Sequence, residues 1–179
     1  MRISIRKLKA IILYFGTYTD TKFLGKVKLM KLFYFLDFTH LKQYGTPVTF
    51  DTYVHLEHGP IPSAIMNLID AATDDIDNSF LADTITIERP QGTQMCRILP
   101  NRKFSQADAG YFSETEMEII KKVCNRFCNK NTKEIEDASH KEAPYSKTKS
   151  LEAIPYELAA EDSDCLVSKE EIKLLSEIC

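Results

Sequence analysis

The feature that most limits what this chain can fold into is a run near its N-terminus, Val27 to Phe38, in which apolar residues leave almost no polar face. A helix spanning about Phe23 to Gln43 places Val27, Met30, Leu32, Phe33, Phe35, Leu36 and Phe38 nearly all the way round its axis, so other elements must enclose it. The run carries Lys28, Lys31 and Asp37, which makes it unfit to cross a bilayer and marks it as the central helix of a soluble fold. Gly45 follows as the left-handed residue that commonly ends a helix. With 179 residues, 44% hydrophobic and 27% charged, the chain has the material to wrap that helix in one ordinary globular domain.

The remaining elements are read from periodicity and punctuation. Ile5, Leu8, Ile12 and Phe15 define a first amphipathic helix over Ile3 to Thr17, with Gly16 at its end. Val48 to Leu56 alternates with period two and reads as a strand, stopped by a turn at His58-Gly59-Pro60-Ile61-Pro62. Ile61, Ala64, Ile65, Leu68, Ile69 and Ala72 line a helix, with Pro62 in its first turn. Thr73 to Asn78 is an acidic surface loop, and Thr84 to Glu88 with Gln94 to Leu99 form a hairpin expected to pair with the earlier strand. Pro100 to Tyr111 reads as irregular. Ser113 with Glu116, Asn131 with Glu134, and Ser168 with Glu171 have capping-box spacing and start three further helices. Lys141 to Leu158 reads as a turn-rich connection. The fold class that results is mainly α (α+β): a compact helical domain around a buried central helix with a small antiparallel β element, spanning 1–160, and a C-terminal helical tail, 161–179, packed on it.

A net charge of −3 gives no general attraction to nucleic acid, and Lys22, Lys26, Lys28 and Lys31 read as an exposed face. Arg2 to Phe15 lacks the length and cleavage site of a signal peptide. The five cysteines, Cys96, Cys124, Cys128, Cys165 and Cys179, form no C-x-x-C pair, which fits a reducing cytosol, with Cys124 and Cys128 assigned to packing. His55 and His58 should face opposite sides of a strand and so do not converge on a metal, and Asp74, Asp75 and Asp77 lack the glycine and glutamate of a calcium loop. No cofactor is expected. Asp37 and His40, three apart on the central helix, have the spacing of a hydrogen-bonded pair, read as a structural polar network ahead of an acid-base couple. Tyr34, Tyr53, Tyr145 and Tyr156 suit either half-buried packing or a protein interface.

Taken in order, Lys28-Leu29-Met30-Lys31-Leu32-Phe33-Tyr34-Phe35-Leu36-Asp37-Phe38, His40, Tyr44-Gly45, Asp51, Tyr53 and His58-Gly59-Pro60-Ile61-Pro62 resemble the Panacea domain family, which includes SocA-like antitoxins and the phage-associated GepA proteins. Asp137-Ala138-Ser139-His140 followed by Pro144-Tyr145 resembles that family's second block, extending the likeness over most of Val27 to Tyr156. The resemblance implies a non-enzymatic antitoxin that neutralises a cognate protein toxin, encoded by an adjacent gene, through direct binding in the cytoplasm. It leaves homo-oligomers open. Two alternatives stand beside it: an adaptor delivering a toxin to a protease, and a hydrolase using Asp37, His40 and His58. The residues matching the family motif, and candidates for partner binding, are Lys31, Tyr34, Asp37, His40, Tyr53, His58, Gly59, Pro60, His140 and Tyr145.

Overall fold

Helix α1 (Ile5–Tyr18) begins where the Ser4 hydroxyl accepts the Lys7 amide and runs beyond Gly16, the expected end. Gly16 serves close approach instead: a Cβ there would lie 2.9 Å from the ring of Pro100. The computed structural model describes residues 3–178, so Arg2 and Cys179 lie outside the described residues. Helix α2 (Lys26–Tyr44) starts later than periodicity suggests, because Gly25 is its N-cap and bridges to Arg97, and it closes on Gly45 at φ 82°. As expected it is buried on nearly every side, enclosed by elements that come later in the chain.

The lysines of this helix are not an exposed face. Lys28 and Lys31 have no exposed surface, and Lys42 is 3% exposed. Their aliphatic stems run along the core while each ammonium reaches a polar partner. Lys28 Nζ donates to the carbonyls of Cys128 at 3.2 Å and Lys130 at 2.5 Å. Only Lys22 of the four behaves as read, while Lys26 pairs with Asp70.

The strand expected over Val48 to Leu56 forms only as β1 (Tyr53–Leu56). The Asp37 carboxylate takes the amides of Val48 and Thr49, and Phe50 turns to φ 53°, so the first half of the segment has no amides free for a ladder. The Gly-Pro segment is a strand, β2 (Gly59–Pro62), antiparallel to β1, and not the expected turn. Its prolines fit because Ser63 N donates to Thr52 O, which puts Ile61 and Gly59 at the hydrogen-bonded positions and turns the nitrogens of Pro60 and Pro62 away from β1. Helix α3 (Ser63–Asp74) follows, with Pro62 as its N-cap, and Asp51 accepts the amides of Ala64 and Ile65 at its N-terminus.

The hairpin β3 (Ile85–Glu88) and β4 (Arg97–Pro100) forms a separate two-stranded sheet and does not pair with β1. The third strand of the first sheet, β5 (Ala153–Ile154), comes from the segment expected to be a turn-rich connection, and the order is β2-β1-β5. A short helix α4 (Gln106–Ala109) interrupts the irregular stretch, bound by a bidentate Arg102–Asp108 pair. All three capping boxes are present: Ser113 opens α5 (Glu114–Phe127), Asn131 opens α6 (Thr132–His140), and Ser168 exchanges bonds with Glu171 in the last helix. Between them lie α7 (Ala143–Ser146), β5 (Ala153–Ile154) and the 3-10 helix Tyr156–Glu161. Helix α8 (Lys169–Ile178) buries Ile172.

Two aromatic groups flank α2. Phe35 meets Phe127 at 4.4 Å between ring centroids, and one turn on Phe38 lies 5.3 Å from Tyr53 and 5.1 Å from Tyr156. The segment after α7 is tied to the body by charge as well. Lys42 Nζ lies 3.3 Å from Glu142, 2.7 Å from Asp162 and 3.1 Å from Asp164, and Leu166 N donates to Lys42 O.

Candidate functional site

The ten motif residues separate into a buried network and a cluster that reaches the surface. Asp37 anchors the first. Its carboxylate accepts the amides of Val48 and Thr49 at 2.9 and 2.7 Å, the Tyr53 hydroxyl at 2.9 Å, and the Thr49 hydroxyl, with Tyr156 at 3.4 Å. Burial raises the carboxyl to about 6, although those donors pull it back down. His40 is not its partner. That ring faces the Thr46 carbonyl at 2.6 Å and the Thr115 hydroxyl on α5 at 3.1 Å, and burial lowers its pKa. The expected Asp37–His40 pair fails because five other donors already surround the acid. Tyr34 stands apart again, donating to Glu142 at 3.0 Å.

The second group gathers Lys31, His58, Gly59, Pro60, His140 and Tyr145. Lys31 Nζ donates to Pro60 O at 2.8 Å, and burial drives its pKa from 10.5 down to about 7, opposed by the charge of Glu136. Gly59, at φ 96°, lies directly above it: a Cβ there would meet Ser139 Oγ at 2.8 Å and Lys31 Cε at 2.9 Å. Such contacts admit no side chain, which is the physical reason a glycine stands in β2. His58, two-thirds exposed, lies 3.7 Å from Glu136.

Tyr145 is held between two imidazoles. Its ring stacks on His55 at 3.8 Å and on His140 at 4.3 Å, and its hydroxyl donates to Leu56 O at 3.0 Å. The stack ties α6 and α7 to β1. Burial, with Lys31 second, lowers the pKa of His140, so this ring is neutral at pH 7. Beside His55 is Leu151, whose amide donates to the His55 carbonyl; it sits at φ 69° with 77% of its surface exposed. A bulky apolar residue in the left-handed region, held out into solvent, gains nothing from the fold in isolation.

Sequence reading thus found six members of this cluster, quoted Ser139 only as part of the family's second block, and missed His55, Glu136 and Leu151 as members of the site. Glu136 sits one residue before the segment that drew attention, and Leu151 carries no motif. The structure does not bring together Asp37, His40 and His58, the three residues named for the hydrolase alternative. Asp37 is sealed by its donors, His40 is engaged with α5, and His58 faces α6, so the three share no cleft. Ser139 Oγ donates to the Glu136 carbonyl, and among the described residues no imidazole is hydrogen-bonded to it. What the cluster offers is a surface of three imidazoles, a stacked tyrosine and an exposed leucine over a buried amine. Among the described residues no helix is long and apolar enough to cross a membrane.

A family model described as antitoxin SocA-like, Panacea domain, matches residues 29–146, which holds α2 from Leu29 onward, β1, β2 and all the residues of the cluster but Leu151. No curated protein and no solved structure gives a significant match.

Proposed function

Because the chain belongs to the SocA-like Panacea-domain antitoxin family, we propose that it neutralises a cognate protein toxin by direct binding in the cytosol, docking through the face formed by His55, His58, His140, Tyr145 and Leu151. The observation that carries this reading is the construction of that face. Lys31, Gly59 and the tyrosine stack fix it rigidly, and its outermost residue is an apolar side chain left in solvent in a left-handed conformation. Rigid aromatic and apolar groups at the centre of a patch are what protein partners bind most strongly. An interface of standard size would cover roughly 800 Å² on each partner.

The toxin is taken to be the product of the neighbouring gene. Co-expression of the two should restore growth, and calorimetry with a catalytically silent toxin should show association. A Leu151→Asp, His58→Ala variant should keep its fold and lose binding. Absence of association between the purified pair would end the proposal. Delivery to a protease predicts in addition that toxin half-life shortens when this protein is present; neutralisation alone leaves it unchanged.

A further inference from the structure

A cleft of about 300 Å³ opens on a different part of the molecule, between the C-terminal end of α2, the 46–52 segment and the chain from Ile154 onward. Leu41, Pro47, Ile154, Pro155, Ile172 and Leu175 make its walls apolar. The rings of Tyr53 and Tyr156 lie at its base with their hydroxyls engaged by Asp37 and the Asp51 carbonyl, so carbon surface is what they present. Phe50 in the wall stands at φ 53°, clamped between Asp37's hold on Val48 and Thr49 and Asp51's hold on α3. Strained backbone of that kind, over-determined by its surroundings, gathers at ligand-contacting sites.

Two further observations define the occupant. One side of the wall, from Ile154 to Leu175, falls outside the segment 29–146 that matches the family model. The same part of the chain is acidic: after residue 150 there are eight Asp and Glu against two Lys, a net of −6, while the first 150 residues carry +3. Lys42 and Lys147 answer Asp162, Asp164 and Glu161, but Glu152, Glu157 and Glu170 have no ion pair among the described residues, and Glu157 lines the cleft.

We infer that this cleft is a second, specificity-giving contact that receives an apolar side chain of the partner protein flanked by lysine or arginine. The inference rests on the reading of the chain as a protein-binding antitoxin but concerns a separate surface. Opposite charge around an apolar anchor discriminates among partners that the common face alone would treat alike.

The test uses the full chain and three labelled peptides in fluorescence anisotropy: a Leu-Phe centre with lysine and arginine flanks, the same centre with glutamate flanks, and basic flanks around a serine centre. The basic apolar peptide should bind about tenfold tighter than either control and weaken with added salt. Thr52→Trp, at an exposed position that fills the cleft, and Glu157→Lys, at its rim, should each remove most of that advantage with the melting temperature unchanged; two variants guard against one failing to fold. Equal binding of the acidic-flanked peptide would assign the cleft to an apolar ligand of another kind and overturn the inference, as would full binding by both folded variants. Failure here with intact toxin rescue by Thr52→Trp would sink the cleft alone. Peptide binding without any toxin association would sink the proposed function alone.

Discussion

Asp37 and Lys31 sit less than two turns apart on α2, neither has exposed surface, and the fold treats them in opposite ways. Asp37 is surrounded by donors from three parts of the chain, and every one of them locates a segment: Val48 and Thr49 before β1, Tyr53 within it, Tyr156 at the 3-10 helix. Lys31 has a single carbonyl, Pro60 O, and otherwise titratable neighbours in Glu136 and His140. A buried charge with several fixed partners serves architecture. One with a single partner and adjustable neighbours sits under the face proposed to dock the partner. The family motif therefore mixes two kinds of residue, and substitutions should separate them.

The largest effect is expected at the acid. Asp37→Asn keeps the size but turns an amide donor toward hydroxyls that already donate, and should cost about 3 kcal/mol in urea unfolding. Gly59→Ala comes next, at about 2 kcal/mol, because the methyl meets Ser139 and Lys31 and the backbone is left-handed there. If Gly59→Ala were as stable as the parent, the close packing over Lys31 would be wrong.

Lys31→Met should change stability at pH 7 by no more than about 1 kcal/mol, since the charge it removes is already penalised by burial. Its signature is the pH dependence. The folded protein releases the Lys31 proton near pH 7, whereas the unfolded chain holds it to about 10.5, so the parent loses stability relative to Lys31→Met as pH falls from 10.5 toward 7 and no further below. A flat difference between the two across that range would show that the amine is not held as described. Asp37 has the opposite window: its raised carboxyl holds a proton from pH 4 to about 6 that the unfolded chain gives up, so its contribution is present at low pH and lost as pH rises through 6. The smallest stability effect belongs to His58→Ala, under about 0.5 kcal/mol for an exposed ring, with a loss of partner affinity as its only consequence.

The sequence carries the parts of this fold that are local. The all-round apolar pattern of α2, the left-handed Gly45 and the three capping boxes depend on residues within one or two turns of each other, and all appear where expected. It conceals what depends on distant partners. Val48 to Thr52 has a strand's alternation, yet its amides go to a carboxylate on α2. The two residues of β5 have no periodicity to read, and only β1 makes them a strand. Lys28 and Lys31 look like surface charges because nothing nearby in the chain announces the carbonyls of Cys128, Lys130 and Pro60 that receive them. The site was half legible for the same reason: the Gly-Pro segment and the Ser-His pair stand out as motifs, while His55, Glu136 and Leu151 join them only through folding.

Neutralisation by direct binding, as proposed, requires the protein to occupy its partner in a fixed ratio. Adding it stepwise to the purified product of the neighbouring gene, with the toxic activity as readout, should relieve inhibition in proportion and end at equivalence. Full relief by a small fraction of an equivalent, continuing over many turnovers, would contradict that claim and mark the protein as a catalyst.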